Sequence, residues 1–305
     1  MAFLQTDRSL PLISYKTRRA IAPYLYLAPT IILLAILMLF PIITVIRYSL
    51  LDNVIMNKHP VFVGIQNYTS VLTNETFRVS LGNTLYFTMM SVIFHLLIGL
   101  SFALLLNSKL INSKIRSLLR VCYIMPWVFT ATIVAIIWRL LLNPVGVVNY
   151  LLTTLKITSS NIEWLASTQT ALHAVTFINI WAGYPFYMVS LLAGLQGVPG
   201  ELYEASIIDG ANEFQKFWYI TIPQLLPIII SIAMLDFIWT MQVFPLIWMT
   251  TGGGPIRATE MLSTFTYKLA FSTYKFSLAS ASAVIILLLS MSVALFYVRH
   301  QKARE

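Results

Sequence analysis

Apolar runs of about 20 residues or more recur along this chain of 305 residues. As helix, a run of that length spans the roughly 30 Å hydrocarbon core of a bilayer. Six runs are read: Tyr24–Tyr48, Asn83–Leu106, Leu118–Leu142, Ala171–Leu195, Pro223–Thr250 and Leu278–Val298. The composition agrees, with 10% charged residues and a mean hydropathy of +0.79, where a soluble domain carries about 25% charged residues. The expected fold is an all-α membrane protein with six transmembrane helices. No polar stretch between the runs is long enough for a separate soluble domain. A single bundle over 23–299 is expected, flanked by a cytoplasmic N-terminal segment, 1–22, and a cytoplasmic tail, 300–305.

The first run exceeds the 7–15-residue apolar stretch of a signal peptide, and no small-residue cleavage pattern follows it. It is read as a retained span. Lys16, Arg18 and Arg19 precede it, and the positive-inside rule places them in the cytoplasm. An even number of spans then puts both termini inside. On that topology 12 Lys and Arg lie inside and 8 outside or at outer helix ends. The net charge of +9 is spread over loops and tails, so topology accounts for it and no nucleic-acid partner is expected. The single cysteine, Cys122, can form no internal disulfide.

One inner loop breaks the charge rule. From Gln196 to Thr221 it holds Glu201, Glu204, Asp209 and Glu213 against Lys216 alone. Residues 201–208 suit a helix, and Asp209-Gly210 supplies its stop, since glycine accepts the left-handed conformation that ends helices. Asn212 can cap a second short segment. In it Phe214, Phe217 and Trp218 fall at i, i+3 and i+4, on one face. Pro223 suits the first turn of the next helix. The insert thus reads as an elbow on the membrane surface, either a plain interfacial connector or a docking knob for a cytoplasmic partner.

Polar groups inside spans are the pathway candidates, because each is costly in hydrocarbon. Asp236 is the one acid well inside a run, and Trp239, Thr240 and Val243 share its helical face at i+3, i+4 and i+7. It either lines a pathway, the reading preferred here, or pairs across helices to fix packing. Asn179, Trp181, Gly183, Tyr184 and Phe186 cluster in the fourth run, and Trp127 follows Pro126 in the third. Aromatic faces suit the C–H faces of a sugar ring, while carboxylates and amides bind its hydroxyls. An ionised Asp236 would disfavour anionic solutes. His95 and His173 show no paired carboxylate or second histidine at ligand spacing, so they are read as packing histidines, and no metal site is expected.

The insert carries Glu204-Ala205-Ser206, then Asp209-Gly210-Ala211, then Ile220-Thr221-Ile222-Pro223. It resembles the EAA loop of binding-protein-dependent ABC-transporter permeases, with Ser206 for an alanine and Ile222 for a leucine. FVGIQNY at Phe62–Tyr68, MPW at Met125–Trp127, WAGYP at Trp181–Pro185 and GGGPIRATEML at Gly252–Leu262 extend the likeness to the maltose and glycerol-phosphate permease branch. The resemblance implies the type I ABC-importer permease fold, with a coupling-helix loop at about 196–222. Glu204, Ala205, Ser206, Asp209, Gly210, Ala211, Phe214 and Pro223 would then dock onto the ATPase. Its solute-contacting positions map to Trp127, Ala131, Gly183, Phe186, Asp236, Thr240 and Val243, to which the residue-level reading adds Asn179 and Trp239.

The implied assembly holds a second homologous permease subunit, a dimeric cytoplasmic ATPase and a periplasmic or extracellular solute-binding protein, all at a bacterial or archaeal inner membrane among its lipids. The chain itself would be non-catalytic and bind no cofactor. It has no G-x-x-x-x-G-K-[ST] loop to cradle phosphates, so ATP and Mg belong to the partner ATPase. The cargo implied is a sugar or related polyol. The alternative is an ion-coupled secondary transporter of a small polar solute, which would call for internal repeats or several intramembrane ionisable groups.

Overall fold

The computed structural model describes residues 15–108 and 110–302, with side-chain surroundings for 23–108 and 110–299. Residues 1–14, Lys109 and 303–305 lie outside the described residues, and so do parts of the expected N-terminal segment and tail. Among the described residues every regular element is a helix, apart from one isolated bridge between Leu51 and Phe62. Five helices are long and apolar enough to cross a membrane: Pro23–Ser49, Glu75–Asn107, Ala171–Gly197, Glu213–Met241 and Phe276–Arg299.

The remaining expected span, Leu118–Leu142, is not one helix. Ser113–Val128 and Ala131–Leu141 meet at a bend of 99°. Phe129 and Thr130 between them are extended, with ψ of 142° and 151°, which interrupts the helical ladder. The Thr130 hydroxyl accepts from the Ile133 N–H and caps the second piece. Pro126, in the last turn before the break, has no N–H to give to that turn.

The fifth span also differs from its expected bounds, Pro223–Thr250. Its helix begins inside the polar insert at Glu213 and ends at Met241. A separate helix, Pro245–Thr250, follows. Pro245 cannot donate a backbone bond and disfavours helical backbone at Phe244, so the chain leaves the helix there. Pro223 causes no break. A π-helical turn at Phe217–Thr221 leads into it, and such a turn absorbs a local fault in the i→i−4 ladder.

The centre of the bundle is the pairing of Glu75–Asn107 with Ala171–Gly197. The second span buries Ser80, Thr84, Ser91, His95, Gly99 and Ala103, a stripe at helical spacing made mostly of small residues, which lets membrane helices approach closely. Ser80 and Thr84 donate their hydroxyls to carbonyls four residues back, so these polar groups need no partner from the neighbouring helix. The first span, by contrast, buries none of its most apolar window.

Segments on the expected outer side tie the helix ends together. Asn83 donates to the carbonyls of Arg257, Ala258 and Glu260 at 3.1–3.2 Å, which seats the GGGPIRATEM loop on the second span. Gly253 in that loop has φ +91° and lies against the carboxylate of Glu260, where a Cβ would collide. Glu260 is buried and takes its ion pair from Lys268 at 2.5 Å.

Candidate transport pathway and coupling loop

The polar insert folds as a helix, a turn and the start of the next span. Gly200–Ile208 is helical. Gly210 then takes φ +76°. Its N–H donates to the Ile207 carbonyl at 3.1 Å, and the Ala211 N–H donates to the Ser206 carbonyl at 2.9 Å. That pair of bonds is a Schellman motif, with glycine at the left-handed position.

Asn212 opens the next helix through a capping box. Its side chain accepts from the Gln215 N–H, and the Gln215 side chain accepts from the Asn212 N–H. Unlike the expected short second segment, Glu213–Lys216 runs on into the fifth span through the π turn, so the elbow is a rigid extension of that span. The Tyr203 and Thr221 hydroxyls, 2.9 Å apart, close it on the inside.

What the elbow presents outward is mixed. Glu204, Ala205, Asp209, Gly210 and Phe214 are exposed, Ala211 is half-buried, and Ser206 is buried with its hydroxyl donating to the Tyr203 carbonyl. Ile207, Ile208, Phe214 and Tyr219 leave large apolar surface uncovered. Exposed hydrophobic side chains beside carboxylates on a polar loop form a surface suited to a protein partner.

The pathway candidates separate into three groups. Trp127, Phe186 and Trp239, each from a different span, form a row, with ring centroids 6.1 Å apart for Trp127–Phe186 and 5.9 Å for Phe186–Trp239. Trp127 is 54% exposed and Trp239 61% exposed. The two tryptophans therefore face outward from this chain, and Phe186 between them is half-buried against the core cluster around Tyr187, Leu191 and Leu225. Ala131 and Val243 lie elsewhere, packed against the core cluster around Phe87, Val134 and Ile247.

Asp236, Thr240, Asn179 and Gly183 surround a residue that the sequence reading set aside. His95, buried in the second span, places Nδ1 2.8 Å from Asp236 Oδ2 and Nε2 3.0 Å from the Asn179 carbonyl oxygen. Tyr187 donates its hydroxyl to the same Oδ2 at 3.0 Å, and Thr240 donates to Oδ1 at 2.9 Å. The Asn179 amide donates to the Ser91 hydroxyl, and a Cβ on Gly183 would overlap the His95 ring.

The expectation that His95 has no paired carboxylate is thus corrected. Its partner comes from a helix 141 residues away in sequence, beyond the reach of any spacing rule. One signal was present: an acid and a histidine, both costly in hydrocarbon, occupied separate spans. Both oxygens of Asp236 are engaged, and Thr240 turns inward with it, while Trp239 beside them turns outward. His173 is satisfied differently, by the Tyr86 hydroxyl at 2.8 Å. Among the described residues no group of three or more His, Cys, Asp or Glu is placed to hold a metal ion.

Known proteins share this architecture. The family model for the binding-protein-dependent transport system inner membrane component matches residues 79–304. The trehalose/maltose transport system permease protein MalF of Thermococcus litoralis is 35% identical over 294 residues, covering 95% of this chain and 97% of that protein. The sulfoquinovosyl glycerol transport system permease protein SmoG of Agrobacterium fabrum is 31% identical over 283 residues, 92% of this chain and 90% of its own length. Among solved structures, a chain of a bacterial ABC transporter involved in the import of the acidic polysaccharide alginate superposes with a TM-score of 0.82. Its identity is 23%, over 95% of this chain and 98% of that one, so it speaks to the fold.

Proposed function

The chain belongs to the family of binding-protein-dependent transport system inner membrane components, and from that membership we propose that it is the saccharide-conducting permease subunit of an ATP-driven importer. Relatives named for trehalose/maltose and sulfoquinovosyl glycerol transport support a sugar or related polyol as cargo. ATP and Mg are handled by a dimeric ATPase docked on the elbow around Glu204 and Gly210. A second homologous permease completes the pathway, and an external binding protein delivers the solute. Both termini lie in the cytoplasm on this reading.

The observation that carries the cargo assignment is the row of Trp127, Phe186 and Trp239. Trp127 and Trp239 are more than half exposed, and Phe186, half-buried against the core, joins them. They supply stacking surface for sugar C–H faces where a second subunit would close the path.

Two measurements test the proposal. Affinity purification of the chain from membranes should retain an ATPase and a second permease; recovery of the chain alone, active in vesicles without ATP, would favour the ion-coupled alternative. In vesicles holding the whole assembly, with maltose and trehalose as probes, Trp239→Ala should raise the uptake KM about tenfold, equivalent to ~1.4 kcal/mol of binding, with assembly intact. Unchanged KM for W239A and F186A would remove the aromatic row from the pathway.

A further inference from the structure

The hydrogen bonds around His95 fix how many protons the buried pair holds. Nε2 faces the Asn179 backbone carbonyl at 3.0 Å, and a carbonyl oxygen only accepts, so Nε2 carries a hydrogen. Nδ1 faces Asp236 Oδ2 at 2.8 Å, and that contact holds one further proton, whether it sits on nitrogen or on oxygen. An imidazolium with a carboxylate and an imidazole with a carboxylic acid have the same sum. Each is neutral.

The other groups around the carboxylate do not change that sum. Tyr187 and Thr240 approach it as hydroxyl donors. Among the described residues His95 is the one basic side chain within ion-pair distance of Asp236. His95 is 2% exposed and Asp236 8%, a setting in which an uncompensated charge is strongly disfavoured.

We propose that His95 is the positioning residue of this pathway wall: it neutralises Asp236, turns it away from the cargo and clasps the second, fourth and fifth spans behind the aromatic row. Phe186 precedes Tyr187 directly and Trp239 follows Asp236 by three residues, so the clasp sets where their rings stand. The wall therefore offers solute aromatic surface and no fixed charge, and Asp236 does not screen cargo by sign as an isolated carboxylate would. The role of this face as a pathway wall rests on the transport function proposed above; the proton count does not.

The test uses the complete assembly that co-purifies with the chain. His95→Gln removes the ring that shares this proton, so it leaves the buried Asp236 carboxyl without its proton-sharing partner and the Asn179 carbonyl without the Nε2–H donor. The yield of assembled complex should fall about tenfold or more, in keeping with the high cost of breaking a buried pair. Asp236→Asn keeps the pair neutral, because its amide can donate to a bare Nδ1, and the assembled yield should stay within about twofold of wild type, consistent with the small effect of keeping each buried polar group bonded. The double variant should recover most of what H95Q loses. If H95Q fails to fold, that recovery still reads out the shared proton.

A spectroscopic arm looks at the proton itself. Solid-state spectra of the ¹⁵N-histidine-labelled wild-type complex, minus those of the D236N/H95Q double variant, should contain a ring protonated at Nε2. A bare Nε2, or D236N as damaging as H95Q with no recovery in the double variant, overturns the proposal. Absence of an ATPase among the co-purifying chains would sink the importer reading and leave the proton count standing.

Discussion

Replacing Gly210 with valine is expected to cut ATPase retention and ATP-driven uptake by about tenfold or more while leaving the chain in the membrane. Gly210 sits at φ +76° with nothing within 4 Å of where a Cβ would be, so the penalty is conformational and not steric. A left-handed backbone costs an ordinary L-residue roughly 1–2 kcal/mol, and a β-branched residue more. With the Schellman turn lost, the Ile207 and Ser206 carbonyls lose their donors, and Gly200–Ile208 no longer stands at a fixed angle to the fifth span.

Asparagine tolerates this conformation better than other non-glycine residues. Gly210→Asn should therefore retain much more ATPase than G210V. Glu204→Lys attacks the same surface through charge, placing a cation among Glu201, Asp209 and Glu213, with equal or greater effect on docking. Membrane-fraction blots and ATPase pulled down with the tagged chain measure both. Wild-type retention and uptake in G210V and E204K together would remove the docking role from the elbow.

The second large effect concerns Gly99. A Cβ there would overlap the Cβ of Tyr187 and crowd the Met188 backbone, atoms that cannot move without separating the two central helices. Overpacking of a tight core costs about 1–3 kcal/mol and can cost more, and here the displaced element also carries Tyr187 of the Asp236 clasp. Gly99→Val should sharply lower the melting temperature of the purified assembly and the fraction that elutes as a single species.

Gly82 and Gly197 make the control. Nothing lies within 4 Å of a Cβ at either, and alanine there gains up to about 1 kcal/mol of helix propensity. G82A and G197A should melt at or above wild type. If Gly99→Ala melts with them, the close approach of the second and fourth spans is not what holds the bundle.

Legibility in the sequence followed the range of the physics. Asp209-Gly210 stopped a helix, and Asn212 capped the next one with Gln215, as their local chemistry requires. The run Ala171–Leu195 became Ala171–Gly197, and the helix continues through Pro185, as membrane helices packed among neighbours tolerate. The run Leu118–Leu142 misled, since apolar residues continue straight through the extended pair Phe129-Thr130 and hydropathy does not register a 99° bend. At Pro245 the breaker was visible, but apolar residues on both sides hid the end of the helix at Met241.

The face shared by Asp236, Trp239, Thr240 and Val243 shows where such reasoning stops. Helical spacing put them together, yet Asp236 and Thr240 are buried, Trp239 is largely exposed, and Val243 lies beyond the helix in the following break. A stripe on one helix acquires a function only when the helix is rotated against its neighbours. The sequence by itself determined the membrane setting, the number of apolar runs, the elbow's stop and cap, and the family, because span length, capping and motif spacing all depend on contiguous residues. Only the tertiary structure decided that His95 pairs with Asp236, that Trp127, Phe186 and Trp239 form one row, and that Gly99 and Gly183 must lack a Cβ. Those facts depend on the relative rotation and separation of helices far apart in the chain, and local propensity does not encode them.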